Sequence, residues 1–137
     1  MFNLGKMSKT DVNTISKNEL VSKLGTNGEV VVNVLESPSY EKIHIKGSIS
    51  IPLSQLKAGR WSELDKSNEI VTHCSSYTCD ASREAAEFLE AQGFKVRAYE
   101  GGMREWAESN LPTEGTYTPE QYLEEKYGKP RPTAKVV

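Results

Sequence analysis

EIVTHCSSYTCDASREAAEFLEAQGFKV, residues 69 to 96, decides the fold. Its first six residues are a β-branched apolar run that ends on Cys74, which predicts a buried strand. A small polar loop follows, and then Ala81, Ala85, Phe88 and Leu89 recur at helical spacing. Gly93 supplies a left-handed stop, after which residues 94 to 99 predict a second strand. Strand, loop, helix and strand in this order form the repeating unit of a parallel α/β sheet. The only two cysteines of the chain, Cys74 and Cys79, both lie in the loop of that unit.

The same alternation continues outward. EVVVNVL at 29 to 35 reads as a strand buried on both faces, and residues 12 to 15 as a short first strand. Between those strands, Ser16 with Glu19 predicts a capping box for a helix whose apolar face is Leu20, Val21 and Leu24. SPSYEKIHIKGSISIP reads as a turn, a helical turn at 40 to 43 and a short strand at 48 to 51. Gly101 and Gly102 turn the chain into a short helix bearing Met103, Trp106 and Ala107. Thr118-Pro119 with Gln121 predicts one more capped helix, which Tyr122, Leu123 and Tyr127 dock on the body. The organisation expected is a flexible lead at 1–11, a single α/β domain at 12–113, and an extension at 114–137 with a short helix and a disordered tail.

Composition bounds the function. The 137 residues are 36% hydrophobic and 26% charged with a net charge of −2, which gives no electrostatic footprint for nucleic acid or an anionic membrane. No apolar run is long enough for a membrane span, and the start lacks the apolar stretch of a signal peptide. A cytoplasmic location is therefore expected, where thiols stay reduced.

In an open α/β sheet, ligands sit at the carboxyl ends of the strands, where Cys74 is placed. Loop amides and the positive end of the following helix favour thiolate over thiol, which makes Cys74 the candidate nucleophile. A metal site is not expected. Two further ligands would be needed, His73 points to the opposite face from Cys74, and His44 is distant in sequence. His73 reads instead as a packed strand histidine.

The series EIVTHC, loop, ASREAAEFLEAQGFKVRAYEGGMREWAESNLP closely resembles the carboxyl half of a single-domain rhodanese. Upstream, VVVNVLESPSYEKIHIKGSISIP is similar to that family's "DVR" strand followed by "E-Y…GHI-x-GA…IP". The resemblance spans about residues 12 to 113 and implies a rhodanese-like fold, a mainly parallel five-stranded sheet flanked by helices. It implies a sulfurtransferase in which Cys74 takes a sulfane sulfur from a small donor and carries it as a persulfide. A thiol, a protein thiol or another thiophilic acceptor then receives it. The binding loop would be Ser75, Ser76, Tyr77, Thr78, Cys79 and Asp80, with His44 and Arg83 as candidate pocket residues and no cofactor beyond the protein's own sulfur.

The chain departs from that pattern at several positions. "DVR" is Asn33-Val34-Leu35, Ile43 stands before His44, and the loop has neither the usual glycine nor the usual arginine. Without that guanidinium thiosulfate is expected to bind poorly, although Arg83 in the next turn compensates in part. Asp80 adds a negative charge unless it is occupied as the helix N-cap. Cys79 sits about where the arginine would be, either as a resolving thiol that attacks the persulfide or as a loop-lining residue. Ser75, Ser76 and Thr78 either donate hydrogen bonds to bound sulfur or are simply small enough to let the loop turn, and Tyr77 falls at its rim. Two alternatives stand beside sulfur transfer: a thiol–disulfide or polysulfide reductase using both cysteines, and a non-catalytic binding module. A phosphatase does not fit, because Asp80 occupies the position where the phosphate-clamping arginine of related folds would stand.

Overall fold

Two β-branched runs at the centre of the chain, EVVVN and EIVTH, set the architecture by pairing in parallel along their whole length. The computed structural model describes residues 12–128. In chain order the elements are α1 (Lys17–Lys23), β1 (Glu29–Asn33), α2 (Ser37–Lys42), β2 (His44–Ile45), β3 (Ile49–Ser50) and α3 (Leu53–Lys57). A 3-10 turn at Arg60–Glu63 leads to β4 (Glu69–His73), α4 (Ala81–Ala91), β5 (Lys95–Tyr99), α5 (Gly102–Glu108), β6 (Thr113–Glu114) and α6 (Pro119–Tyr127). The main sheet has the order β3-β1-β4-β5 with every pair parallel, and β4 is central as its apolar run predicts.

The fifth strand expected at 12 to 15 is reduced to one parallel bridge, Thr14 to Ala98, so the main sheet has four strands. Amide bonds from Ile15 to Ala98 O and from Ala98 to Asn13 O still seat the segment against β5. Ser16 then caps α1 through the Glu19 amide and turns the chain out of the sheet before a second bridge forms. Glu19 does not complete the capping box. Its carboxylate instead makes a two-pronged ion pair with Arg97 at 2.7 and 2.9 Å. A small antiparallel pair, β2 with β6, was not foreseen and ties residue 114 to His44.

Alternation along the strands produces two apolar layers. One face carries Val32, Ile70, Cys74, Val96 and Ala98 beneath α4. The other carries Val31, Val71 and Tyr99 against Ile43, Ile45, Trp106 and α6. Helix α6 has the expected capping box and buries Tyr122 and Leu123, so the segment after residue 113 packs on the body. The expectations for 1–11 and for the tail after residue 128 lie outside the described residues. Among those described, no helix is long and apolar enough to cross a membrane.

Candidate active site

The loop between β4 and α4 is held from below by α5. Cys74 O accepts the Met103 amide at 2.9 Å, and Ser75 O accepts the Arg104 amide at 2.8 Å. This approach requires glycine at position 102. A Cβ there would meet Ser75 C at 2.6 Å and Cys74 O and Ser76 N at 2.7 Å, and Gly102 has φ +64°. The sequence predicts only a turn at this glycine, whereas in the fold it also seats the loop.

Within the loop, the Cys79 amide donates to Ser76 O and closes a turn, and the Ser76 and Thr78 hydroxyls lie 2.9 Å apart. The two cysteines are thereby brought together, and both are free thiols. Cys74 is only 1% exposed, and its Sγ donates to Cys79 O at 3.4 Å. Cys79 itself is partly exposed. The anion-stabilising groups divide between the two sulfurs. Contact with the Cys74 thiol, followed by the Ser75 and Ala81 amides and the Ser75 hydroxyl, holds Cys79 down to about 5. The same contact with Cys79, then burial, pushes Cys74 up, against the pull of the Ser82 amide and hydroxyl. The pair therefore releases one proton readily and holds the other.

This differs from the expected ring of amides around Cys74 alone. The reason is geometric: a second sulfur stands at the helix N-terminus and takes the Ala81 amide. Ser82 was not singled out from sequence. It is buried, it reaches Cys74, and its carbonyl accepts the Thr72 hydroxyl at 2.8 Å. Its place in the first turn of α4 was the available signal.

The remaining candidates are placed as follows. Tyr77 is at the rim, 61% exposed. Asp80 is at the N-cap position of α4 but makes no side-chain cap bond, and lies 3.8 Å from Arg83. Arg83 is engaged by Glu100 through both Nε and Nη2 at 2.9 Å, so its charge is already matched. Beside it runs an open cleft lined by Lys57, Asp80, Arg83, Glu84, Glu87 and Phe88, in which Lys57 pairs with Glu84. His44 is not brought into the loop. Its ring stacks on Tyr40 at 3.8 Å, Nδ1 lies 2.7 Å from Tyr40 O, and Nε2 lies 3.5 Å from Glu114.

Behind the loop, on the opposite sheet face, Ser50, Asn33, His73 and Tyr99 form one row of paired positions across the carboxyl edge. Asn33 Oδ1 accepts the Leu35 amide, and the Tyr99 hydroxyl donates to Glu105 at 2.7 Å. His73 is fully buried, which holds its pKa down to about 4 and keeps the ring neutral. Its Nδ1 lies 3.4 Å from Cys74 O, so the histidine contacts the backbone of the loop and not its sulfur. Among the described residues no group of three or more His, Cys, Asp or Glu is arranged to hold a metal ion.

Comparison with known proteins agrees with this architecture. The rhodanese-like domain family matches residues 16–109. The chain is 30% identical over 100 residues to the HTH-type transcriptional regulator Rv0324 of Mycobacterium tuberculosis, covering 73% of this chain and 44% of that one. It is 39% identical over 77 residues to the putative sulfur carrier protein YrkF of Bacillus subtilis, covering 56% and 40%. The chain thus spans less than half the length of these two relatives. Among solved structures, the BH2092 protein of Bacillus halodurans superposes with a TM-score of 0.73 at 29% identity, covering 82% of each chain. With the strand-end cysteine, the helix-capped loop and the parallel sheet in place, the chain belongs to the rhodanese-like domain family.

Proposed function

We propose that the protein is a sulfurtransferase in which Cys74 accepts a sulfane sulfur, carries it as a persulfide and passes it to a thiophilic acceptor. The observation that carries this reading is the Cys74 sulfur at the carboxyl end of β4, buried beneath α4 and 3.4 Å from Cys79 O in the loop. A sulfur so placed can attack a terminal sulfane atom, and the resulting hydropersulfide keeps donors within reach. Similarity to a putative sulfur carrier supports the same class. Residues 12–113 are the catalytic unit in this reading, 114–137 its extension, and the reducing cytoplasm its compartment.

The donor is read as a persulfide or polysulfide and not thiosulfate. Arg83 is already paired with Glu100, and Asp80, Glu84 and Glu87 surround it. A dianion would meet carboxylates there, with no unengaged guanidinium to bind it. The Cys74–Cys79 contact favours a second reading, a polysulfide or thiol–disulfide reductase. Cys79 would then attack the inner sulfur of the persulfide, leaving a disulfide and releasing sulfide.

Transfer assays with cyanide as acceptor, and polysulfide, glutathione persulfide and thiosulfate as donors, test the proposal. Polysulfide or glutathione persulfide should support turnover, thiosulfate should be the weakest donor, and Cys74→Ser should lower turnover by at least about a hundredfold. Equal turnover by Cys74→Ser would remove Cys74 from the carrier role. Release of sulfide with a stoichiometric Cys74–Cys79 disulfide would select the reductase. No transfer from any of the three would leave a binding module.

A further inference from the structure

Behind the cysteine loop lies a polar row that the proposed chemistry does not use. Ser50, Asn33 and His73 are paired positions on β3, β1 and β4, with Ser48 two residues before Ser50. Asn33 and His73 are each 0% exposed and Ser48 is 6% exposed. Among the described residues, Asn33 Nδ2, His73 Nε2, Ser50 Oγ and Ser48 Oγ are buried atoms with no hydrogen-bond partner in the protein. Buried polar groups are almost always satisfied, by protein or by ordered water. Four orphans at one end of the sheet therefore mark a site for a bound molecule.

The chemistry of the two deepest orphans identifies that molecule. Asn33 Oδ1 accepts the Leu35 amide at 2.9 Å, which fixes the side-chain amide and leaves its Nδ2 donor unmatched. His73 Nδ1 lies 3.4 Å from Cys74 O, a carbonyl that can only accept, so the proton of the neutral ring belongs on Nδ1. Nε2 is then a bare acceptor. The donor and the acceptor stand on paired strands, which run about 4.7–4.9 Å apart, yet they do not reach each other. An anion could not donate to Nε2, and a metal ion could not accept from Nδ2. Water does both, and fits such a spacing.

We infer that this row binds buried water, and that the molecule between Asn33 and His73 holds the ring in its Nδ1–H form so that it donates to Cys74 O. Asn33 is then a positioning residue, acting through water and His73 on the backbone of the cysteine loop. Cys74 O also accepts the Met103 amide at 2.9 Å, so the end of β4 is gripped from α5 and from the ring at once. The Ser50 and Ser48 hydroxyls, each able to donate and to accept, continue the hydrated row toward the β3 edge of the sheet. His44 takes no part, because its Nδ1 faces Tyr40 O and its Nε2 faces Glu114. The site needs no sulfur donor, so the inference stands apart from the sulfur-carrier reading.

The test is long-range proton–nitrogen correlation NMR of the full reduced chain at about pH 7, with the two histidine rings labelled in nitrogen-15. His44→Gln leaves only the His73 ring in the spectrum and so assigns it. Free neutral histidine prefers its proton on Nε2, whereas here the Nδ1–H form should predominate by about tenfold or more. The Asn33 side-chain amide should also show cross-relaxation with a long-lived water. Asn33→Leu keeps the shape and removes the donor, and the ratio of the two forms should fall by about tenfold, the loss expected of one hydrogen bond. Asn33→Ser leaves a hydroxyl and room for a further water, and should restore most of that ratio. A proton on Nε2 in the wild type, a charged ring, or an Nδ1–H ring with no long-lived water at Asn33 would each overturn the inference. So would a ratio that Asn33→Leu leaves unchanged, or that Asn33→Ser lowers as far as Asn33→Leu does. The wild-type spectrum decides the form of the ring even where Asn33→Leu fails to fold.

Discussion

The two ends of the central sheet each hold a pair of interacting acids, and they behave in opposite ways. At the amino end Glu29 and Glu69 are paired positions on β1 and β4, and both carboxylates approach Lys23. Burial first, and then the Glu69 charge, push Glu29 up to about 7, although Lys23 lies 3.3 Å from Glu69 and 3.8 Å from Glu29. At the carboxyl end Cys79, an intrinsically weaker acid, is held down to about 5. The difference lies in backbone direction. The amides of α4 and of the loop point at the thiols, while the helix end nearest the carboxylates is the C-terminal turn of α1, which offers Lys23 but no free amides. A buried pair becomes a ready anion only where donors converge on it, which is why the proposed chemistry is placed at the carboxyl end.

Breaking the carboxyl end at its seat should have the largest effect on stability. Gly102→Ala places a Cβ inside contact distance of three loop backbone atoms and asks for a left-handed φ of an L-residue. A loss of about 2–4 kcal/mol is expected in denaturant melts, with the thiolate absorbance near pH 6 lost as the loop moves. Unchanged stability would mean that α5 does not fix the loop.

Acid–base titration of stability separates the two ends further. His73 falls from its ordinary value to about 4, so the unfolded chain binds the proton first. Stability therefore drops as pH falls below about 6.5 and the loss levels off below about 4, a cost of about 3 kcal/mol. Glu29 works with the other sign. The folded state holds the proton more tightly, so stability is lost as pH rises from about 4.5 through about 7. Glu29→Gln should raise stability above pH 7 by about 1–3 kcal/mol, with Glu69, Lys23 and Arg97 remaining as the charged neighbours. His73→Gln should flatten the acid limb instead. Stability profiles of the two variants that coincide would refute the assignment of opposite signs to the two ends.

The smallest effect is expected at Ser82. Replacing it by alanine removes one hydroxyl from Cys74 and leaves the amide and Cys79 in place. Loading should slow by about three- to tenfold, with little change in melting temperature. A loss as large as that of Cys74→Ser would instead make Ser82 a primary catalytic group.

Much of this arrangement was legible in the residues. The β-branched runs 29–35 and 69–74 announce two-faced burial, and Gly93 ends α4 in the left-handed conformation expected of it, φ +99°. The position of Cys74 at the strand end follows from those runs. What was not legible depends on contacts between distant segments. Glu19 matches a capping box locally, but Arg97 offers it a stronger partner from 78 positions away. Arg83 reads as a free cation until Glu100 is placed against it. The β2–β6 pair has two residues per strand, too few for any periodicity to register. The approach of Cys74 Sγ to Cys79 O could not be read from their spacing, because the Ser76–Cys79 turn sets where residue 79 lies.

The central claim is that sulfane sulfur resides on Cys74. Reduced protein would be incubated with glutathione persulfide, freed of excess donor, alkylated, digested and mapped by tandem mass spectrometry. A gain of one sulfur atom located on Cys74 is expected, with Cys79 recovered as an unmodified thiol. No gain of sulfur, or a gain located on Cys79 alone, would contradict it.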